Sequence, residues 1–312
     1  MKILYVDPVV DSPTSSNYRY YDGIYNQLRN RHEIAIFRDS PRDIKKLCQE
    51  NNFDADAVIF GLGWFNNKYF DKIENINIPS ICILFKPQND LEQKLNFCKI
   101  NKINLLLTPN PDFEEYQTLT GVESRLYTYG FDPDVFYDRE NEKKYDIGFS
   151  GALHESKHYP PGAFPTENIR TKIGELLHSR SDINIFWSSS DSKPSRIPSY
   201  EDYANKLNSS KIWIATQAAF GDITPRYYEI VASKTLLLCQ EIPYQYKKIF
   251  RDGENCVEFK SDLSDFEEKL DFYLKNNEKR CKIANAAYKE FVEKHAWINK
   301  ADQLIKYIQE IK

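Results

Sequence analysis

Residues 221–241 read GDITPRYYEIVASKTLLLCQE. Thr224-Pro225 is a helix start, with Thr as N-cap and Pro at the first helical position. A short helical pattern follows and runs straight into the bare apolar segment TLLLC. A strand that is apolar on both faces is buried on both faces, as in a parallel sheet between helix layers. Arg226 and Glu229 stand three apart at the head of this helix. They therefore share a face near the positive end of its dipole.

The same alternation runs from end to end. Strand candidates are Lys2–Asp7, Glu33–Phe37, Ala57–Gly61, Ser80–Phe85, Ile103–Pro109 and Ser124–Tyr129. A second series is Tyr145–Gly151, Ile183–Ser189, Ile212–Thr216, Thr235–Gln240 and Asn255–Phe259. Segments such as YEDYANKLNSS and DFEEKLDFYLKN between them carry helical spacing. Strand–helix alternation predicts βαβ units and a doubly wound α/β fold. The series breaks once, at YGFDPDVFYDRENEKK, which is polar, charged and contains proline. This reads as an interdomain linker over 131–144. The expected architecture is two facing Rossmann-like domains with an interdomain cleft. In such sheets ligands bind beyond the carboxyl ends of the strands.

Composition bounds the function. A chain of 312 residues exceeds one compact core, which predicts two domains. The net charge of −4 comes without a block of like charge, so nothing predicts a broad nucleic-acid or anionic-membrane surface. No apolar run approaches the ~18 residues of a membrane span. MKILYVD is too short for a signal segment and fits a first strand. Cys48, Cys82, Cys98, Cys239, Cys256 and Cys281 form no CxxC pair. They read as buried free thiols in a reducing cytoplasm.

A helix head with a fixed cation suits a nucleotide diphosphate. A carboxylate one turn on can accept from two ribose hydroxyls. By spacing alone the pair reads first as a surface ion pair worth only tenths of a kcal/mol. Context adds a resemblance. PRYYEIVASKTLLLCQEIPYQYKKIFRDGENCVEF is similar to the C-terminal donor domain of GT-B-fold glycosyltransferases of the "glycosyl transferases group 1" type, in the style of the spore-maturation (CgeB-like) branch. Arg226, Glu229, Ser233, Leu236–Leu238, Pro243 and Asp252-Gly253-Glu254-Asn255, with Val257 and Phe259, carry the likeness. KYDIGFSGALHESKHYP resembles the Gly-containing phosphate loop, and SYEDYANKLNSSKIWIA the unit before the Glu helix. YGFDPDVF resembles the hinge, and KHAWINKADQLIKYI the last helix, which crosses back to the first domain. The likeness covers residues 124–312 in detail and the first half only in layout.

The resemblance implies an acceptor-side domain over 1–135, a nucleotide-sugar-binding domain over 136–294 and a returning helix over 295–312. It implies that Glu229 binds the donor ribose, that Arg226 and Lys157 neutralise the diphosphate, and that Gly151 lets backbone approach the phosphates. The implied donor-binding set is Gly151, Ala152, His154, Lys157, Ser188, Tyr200, Thr224, Arg226, Tyr227 and Glu229. Many family members have an acidic residue eight positions before the ribose-binding Glu. Here that position is Gly221, and Asp222 beside it is the candidate for the part. The family's Gly after the Glu helix is Ser233.

Other features weigh less. His154 and His158 are spaced i,i+4, but without HExxH or a third ligand they read as loop histidines rather than a metal site. His32 resembles the turn before the second strand, and His295 and Trp297 read as last-helix packing. Asp54-Ala55-Asp56 and Asp132-Pro133-Asp134 have DxD form in weak contexts. On the acceptor side the loops after strands offer Ser15, Arg19, Trp64 and Asp90. Trp64 reads equally as a sugar platform or as core, and Asp90 also as a helix N-cap. Gly61-Leu62-Gly63 lacks the third glycine of a dinucleotide fingerprint.

The expectation is a cytoplasmic glycosyltransferase moving a sugar from a UDP-, GDP- or similar donor to a glycan or other acceptor. By resemblance it retains the anomeric configuration and uses no metal or other cofactor. The alternatives are a nucleotide-sugar 2-epimerase and a non-catalytic sugar-nucleotide or glycan-binding protein on the same fold. DNA glucosylation is disfavoured by the absence of a basic bias.

Overall fold

The computed structural model describes residues 1–8, 19–39, 41–61, 72–87, 90–153, 167–189, 196–218 and 221–312; for 19–21 and 167–168 it describes the backbone only. The chain divides into two compact units. Unit 1 comprises Met1–Tyr129 with Trp297–Lys312, and unit 2 is Gly130–Ala296.

Among the described residues unit 1 holds six strands: β1 (Lys2–Val6), β2 (Glu33–Phe37), β3 (Ala57–Gly61), β4 (Ser80–Ile83), β5 (Leu105–Thr108) and β6 (Glu123–Leu126). They form one parallel sheet in the order β2-β1-β3-β4-β5-β6. Every residue of β3, β4 and β5 is buried, as their unbroken apolar runs require. Helices α1 (Arg19–Arg29), α2 (Ile44–Glu50), α3 (Leu91–Ile100) and α4 (Phe113–Thr120) connect the strands. Leu4, Val6, Phe60, Phe97 and Leu106 sit in one core. β5 stops at Thr108 because Pro109 has no N–H for the ladder.

Unit 2 holds β7 (Tyr145–Gly151), α5 (Glu167–His178), β8 (Ile185–Ser189), α6 (Tyr200–Asn208), β9 (Ser210–Ala215), α7 (Pro225–Ala232), β10 (Leu236–Gln240), β11 (Val257–Phe259), α8 (Phe266–Lys275) and α9 (Asn277–Lys294). Its parallel sheet runs β11-β10-β9-β7-β8. Gly148 in β7 makes room for the Trp213 indole of β9: a Cβ there would lie 2.1 Å from Trp213 Cε3. All eleven segments expected as strands are strands, with ends that shift by up to three residues.

Two expectations need correction. The polar stretch over 131–144, expected as an interdomain linker, lies within unit 2. Within unit 2 the Arg139 guanidinium bonds Glu201, Asn205 Oδ1 (3.0 Å) and Val135 O (2.8 Å), and its backbone N–H bonds Asn208 Oδ1 (2.8 Å). Lys143 Nζ bonds Asn208 O at 2.7 Å. The stretch is polar because it is hydrogen-bonded onto α6. The division of the chain accordingly falls between residues 129 and 130 rather than 135 and 136, and between 296 and 297 rather than 294 and 295.

The last helix, α10 (Trp297–Glu310), belongs to unit 1. Gly23 of α1 seats its first residue, since a Cβ at Gly23 would lie 2.4 Å from Trp297 Nε1. The Tyr127 hydroxyl donates to Lys300 O at 2.7 Å, and Lys300 Nζ donates to Thr128 Oγ1 at 2.6 Å.

Candidate functional site

In an open parallel sheet, strand order reverses at one point, and a crevice opens there beyond the carboxyl ends. In unit 2 that point lies between β7 and β9. Arg170 of α5 spans it. This arginine is 4% exposed. Its Nε donates to Thr216 Oγ1 at 2.6 Å, Nη1 to Ala152 O at 2.9 Å and Nη2 to Gln217 O at 2.9 Å. The loops that follow β7 and β9 are thereby fixed to each other. Nothing in the sequence marked Arg170, because its partners lie far along the chain.

Helix α7 opens at the same edge. Thr224 takes the N-cap position and Pro225 follows, as expected, but the Thr224 side chain makes no cap hydrogen bond. Its hydroxyl is buried without a partner. Arg226 points back over β7: an atom at the Cβ position of Gly151 would lie 3.5 Å from Arg226 Nη1. A Cβ at residue 151 would touch the guanidinium at contact distance and press more closely on Phe149, at 3.3 Å.

Glu229 is 7% exposed. No ion pair joins it to Arg226, so the simple surface-pair interpretation of their spacing fails. Burial pushes the Glu229 carboxyl up to about 7, offset in part by the charge of Arg226 and by Tyr203. The Tyr203 hydroxyl of α6 faces Glu229, Arg226 and Ser150. It reaches hydrogen-bonding geometry with none of them. The site thus combines a half-buried cation, a buried carboxylate and hydroxyls that await partners. Buried polar groups are normally bonded, and unsatisfied ones concentrate where a ligand completes them.

Gly221 has φ +76°. An L-residue is strained there, so glycine stands at this position for its backbone. Asp222 is buried beside it, and its carbonyl accepts from Ala218 N–H at 2.9 Å. Ser233 at the end of α7 has φ −91°, which demands no glycine. Ser188 lies buried in β8, and its neighbour Ser189 pairs with Gly151. Tyr200 opens α6, its ring 6.1 Å from Phe136. Tyr227 is wholly inside the core, edge-on to Phe250 at 5.6 Å. Lys157, His154 and His158 lie outside the described residues.

In unit 1 the reversal point lies between β1 and β3. Asp7 follows β1, and its carboxylate occupies the space over Gly61: a Cβ at Gly61 would fall 1.8 Å from Asp7 Oδ2. Asp7 is 8% exposed. The sequence showed Asp7 only as the end of an apolar run. Asp90 holds the N-cap position of α3 at φ 56° and makes no side-chain cap bond. Lys94, fully buried, donates to Phe85 O (3.2 Å) and Lys86 O (3.0 Å). Ser15 and Trp64 lie outside the described residues, as does the side chain of Arg19.

Asp54 and Asp56 line an open depression of about 580 Å³ with Met1 and Lys2, at the amino edge of the sheet and away from the reversal point. Asp132 forms a turn with Asp134 N at 3.0 Å. Among the described residues no three His, Cys, Asp or Glu side chains are grouped to hold a metal ion. No described helix is long and apolar enough to cross a membrane.

A family model described as "Glycosyl transferase-like" matches residues 170–306. No curated protein matches the chain. Among solved structures, sucrose-phosphate synthase from Thermosynechococcus elongatus superposes with a TM-score of 0.65 at 10% identity, over 100% of this chain and 99% of that one. HepE of Anabaena, in complex with UDP-glucose, gives 0.62 at 10% identity, over 99% and 100%. TarM gives 0.59 at 11% identity over 81% of this chain, which spans 54% of TarM's length. At these identities the likeness is one of fold.

Proposed function

We propose that the chain, whose residues 170–306 match a model described as "Glycosyl transferase-like" and whose fold is that of GT-B glycosyltransferases, moves a sugar from a nucleotide-sugar donor to a glycan or other acceptor. The observation that carries this is the arrangement at the reversal point of unit 2. Buried Glu229, unpaired with Arg226, shares a crevice edge with the bare hydroxyls of Tyr203 and Thr224. A ribose offers two hydroxyls to a carboxylate, and a diphosphate offers its charge to a guanidinium and to helix-terminal N–H groups.

In this reading Glu229 accepts from the ribose and Arg226 holds the diphosphate, with Lys157 as its second cation. The diphosphate leaves with the electron pair of the glycosidic bond. Fixed cations that meet this developing charge lower the barrier. Arg170 ties Ala152 to Thr216 and Gln217 at this edge. We assign the charge compensation to these cations rather than to a metal, and retention of configuration follows the family resemblance. The acceptor falls to unit 1, where Asp7 lies at the crevice. Six free cysteines support a reducing, cytoplasmic location. HepE is described with UDP-glucose, which makes that donor the first to try.

A thermal-shift panel of UDP-, GDP- and other nucleotide sugars tests the reading. A donor at a hundredfold excess over Kd raises stability by about 2.7 kcal/mol. Glu229→Ala should abolish that shift. An unchanged shift in this variant sinks the assignment. Donor turnover without acceptor, to an epimer, would support the epimerase alternative. Binding without transfer or hydrolysis would support a non-catalytic protein.

A further inference from the structure

Tyr203 was not among the residues the sequence singled out. In YEDYANKL it reads as one more aromatic on the inner face of a helix. The structure gives it a more specific place. Ser199 caps α6 by accepting from Asp202 N–H at 3.0 Å, which fixes the phase of the helix. The Tyr203 ring is wedged between two edges, Phe136 at 5.8 Å and 74° and Trp213 at 5.8 Å and 69°. A ring held on two sides cannot swing. Its hydroxyl therefore stays aimed at Ser150, Arg226 and Glu229.

That hydroxyl is buried and bonds nothing. Phenylalanine would supply the same ring contacts without a polar atom to desolvate. A hydroxyl kept in such a place destabilises the free protein. A partner arriving at this edge would satisfy it.

We propose that Tyr203 is a positioning residue of the donor site: its hydroxyl closes a hydrogen bond onto Glu229 when the donor ribose engages that carboxylate. The inference rests on the assignment of Glu229 to the ribose. The groups that bear on Glu229 are few. Arg226 comes from its own helix and Tyr203 from α6. Those that bear on Tyr203 are Glu229, Arg226 and, from β7, Ser150. With the charge of Arg226 and the Tyr203 hydroxyl both beside it, the buried carboxyl still titrates at about 7, and a tighter Tyr203 contact would lower it further. A donated hydrogen bond favours the ionised form, which accepts from both ribose hydroxyls. Donor affinity then rises with pH as Glu229 ionises, and Tyr203 sets where that rise falls.

Tyr203→Phe separates this role from a structural one. The probes are UDP-glucose and UDP, titrated against wild type, Tyr203→Phe, Glu229→Ala, Glu229→Gln and the double variant Tyr203→Phe/Glu229→Gln, from about pH 5 to 9. The ligand-free Tm of Tyr203→Phe should equal or exceed that of wild type. Its affinity at neutral pH should fall about tenfold, and the midpoint of its pH dependence should move upward. In a Glu229→Gln background the Tyr203→Phe change should have little further effect. Wild-type affinity and an unshifted midpoint in Tyr203→Phe overturn the inference. So does a lowered Tm with unchanged binding, which marks a packing role. If Glu229→Ala loses binding while Tyr203→Phe does not, this inference alone fails. If wild type binds neither probe, or Glu229→Ala binds as wild type does, the assignment of the site fails and takes this inference with it.

Discussion

Arg170 donates its Nε hydrogen to the Thr216 hydroxyl at 2.6 Å, and through that bond the helix after β7 is tied to the loop after β9. Replacing Arg170 by Ala leaves the carbonyls of Ala152 and Gln217 without their donor. The expected cost is about 2–4 kcal/mol in denaturant unfolding, with loss of nucleotide-sugar binding. Arg170→Lys should recover only part of both, because an ammonium cannot reproduce the planar fork.

Glu229 should show opposite effects on stability and binding. Its folded-state pKa, about 7, lies above its ordinary value of 4.5. The folded chain therefore binds the extra proton between these values. The contribution is fully present below about pH 4.5 and is lost as pH rises through about 7. Glu229→Gln should flatten that part of the Tm–pH curve. Above pH 7 it should melt several degrees higher than wild type, while binding donor more weakly at every pH. Calorimetry and titration on the same samples check both signs.

Gly61→Ala places a methyl against the Asp7 carboxylate. It should cost about 1–3 kcal/mol. Adding Asp7→Gly should return part of the loss, since the clash then has no second partner. A strictly additive double variant, read by chemical unfolding, would contradict the close approach seen here.

Gly221→Asp would restore the family's acidic residue in sequence, but not in structure. At φ +76° the new side chain costs about 1–2 kcal/mol. Transfer activity should fall or stay level. A clear gain in donor turnover would show that the missing carboxylate matters more than the backbone.

If Arg226 and Lys157 carry the diphosphate charge, a chelator should leave transfer unchanged. A loss of more than about tenfold, restored by magnesium or manganese, would assign that charge to a metal.

The strands were readable because their burial is written in consecutive residues: ICILF and TLLLC have no polar face to expose. Arg226 and Glu229 were readable because helical spacing puts them together. Arg170 was not, since its burial is created by residues 46 positions away or more distant in sequence along with Ala152. Tyr203 was hidden for a different reason. An aromatic inside a helix face signals packing, and only the fold shows that its unbonded hydroxyl faces Glu229 and Arg226. The stretch over 131–144 misled because polar residues that bond protein look the same, in sequence, as those that bond water. Arg139 and Asn208 needed the fold to be distinguished.

Unit 2 is one uninterrupted piece of chain, whereas unit 1 is made of two pieces with unit 2 between them. During synthesis unit 2 has all its residues as soon as Ala296 emerges. Unit 1 still lacks the helix that seats Trp297 on Gly23 and covers Tyr127. Its sheet must wait, partly uncovered, while a later part of the message is translated and folded. The order of completion is thus the reverse of the order of residues, and the first strands made are the last to be sealed.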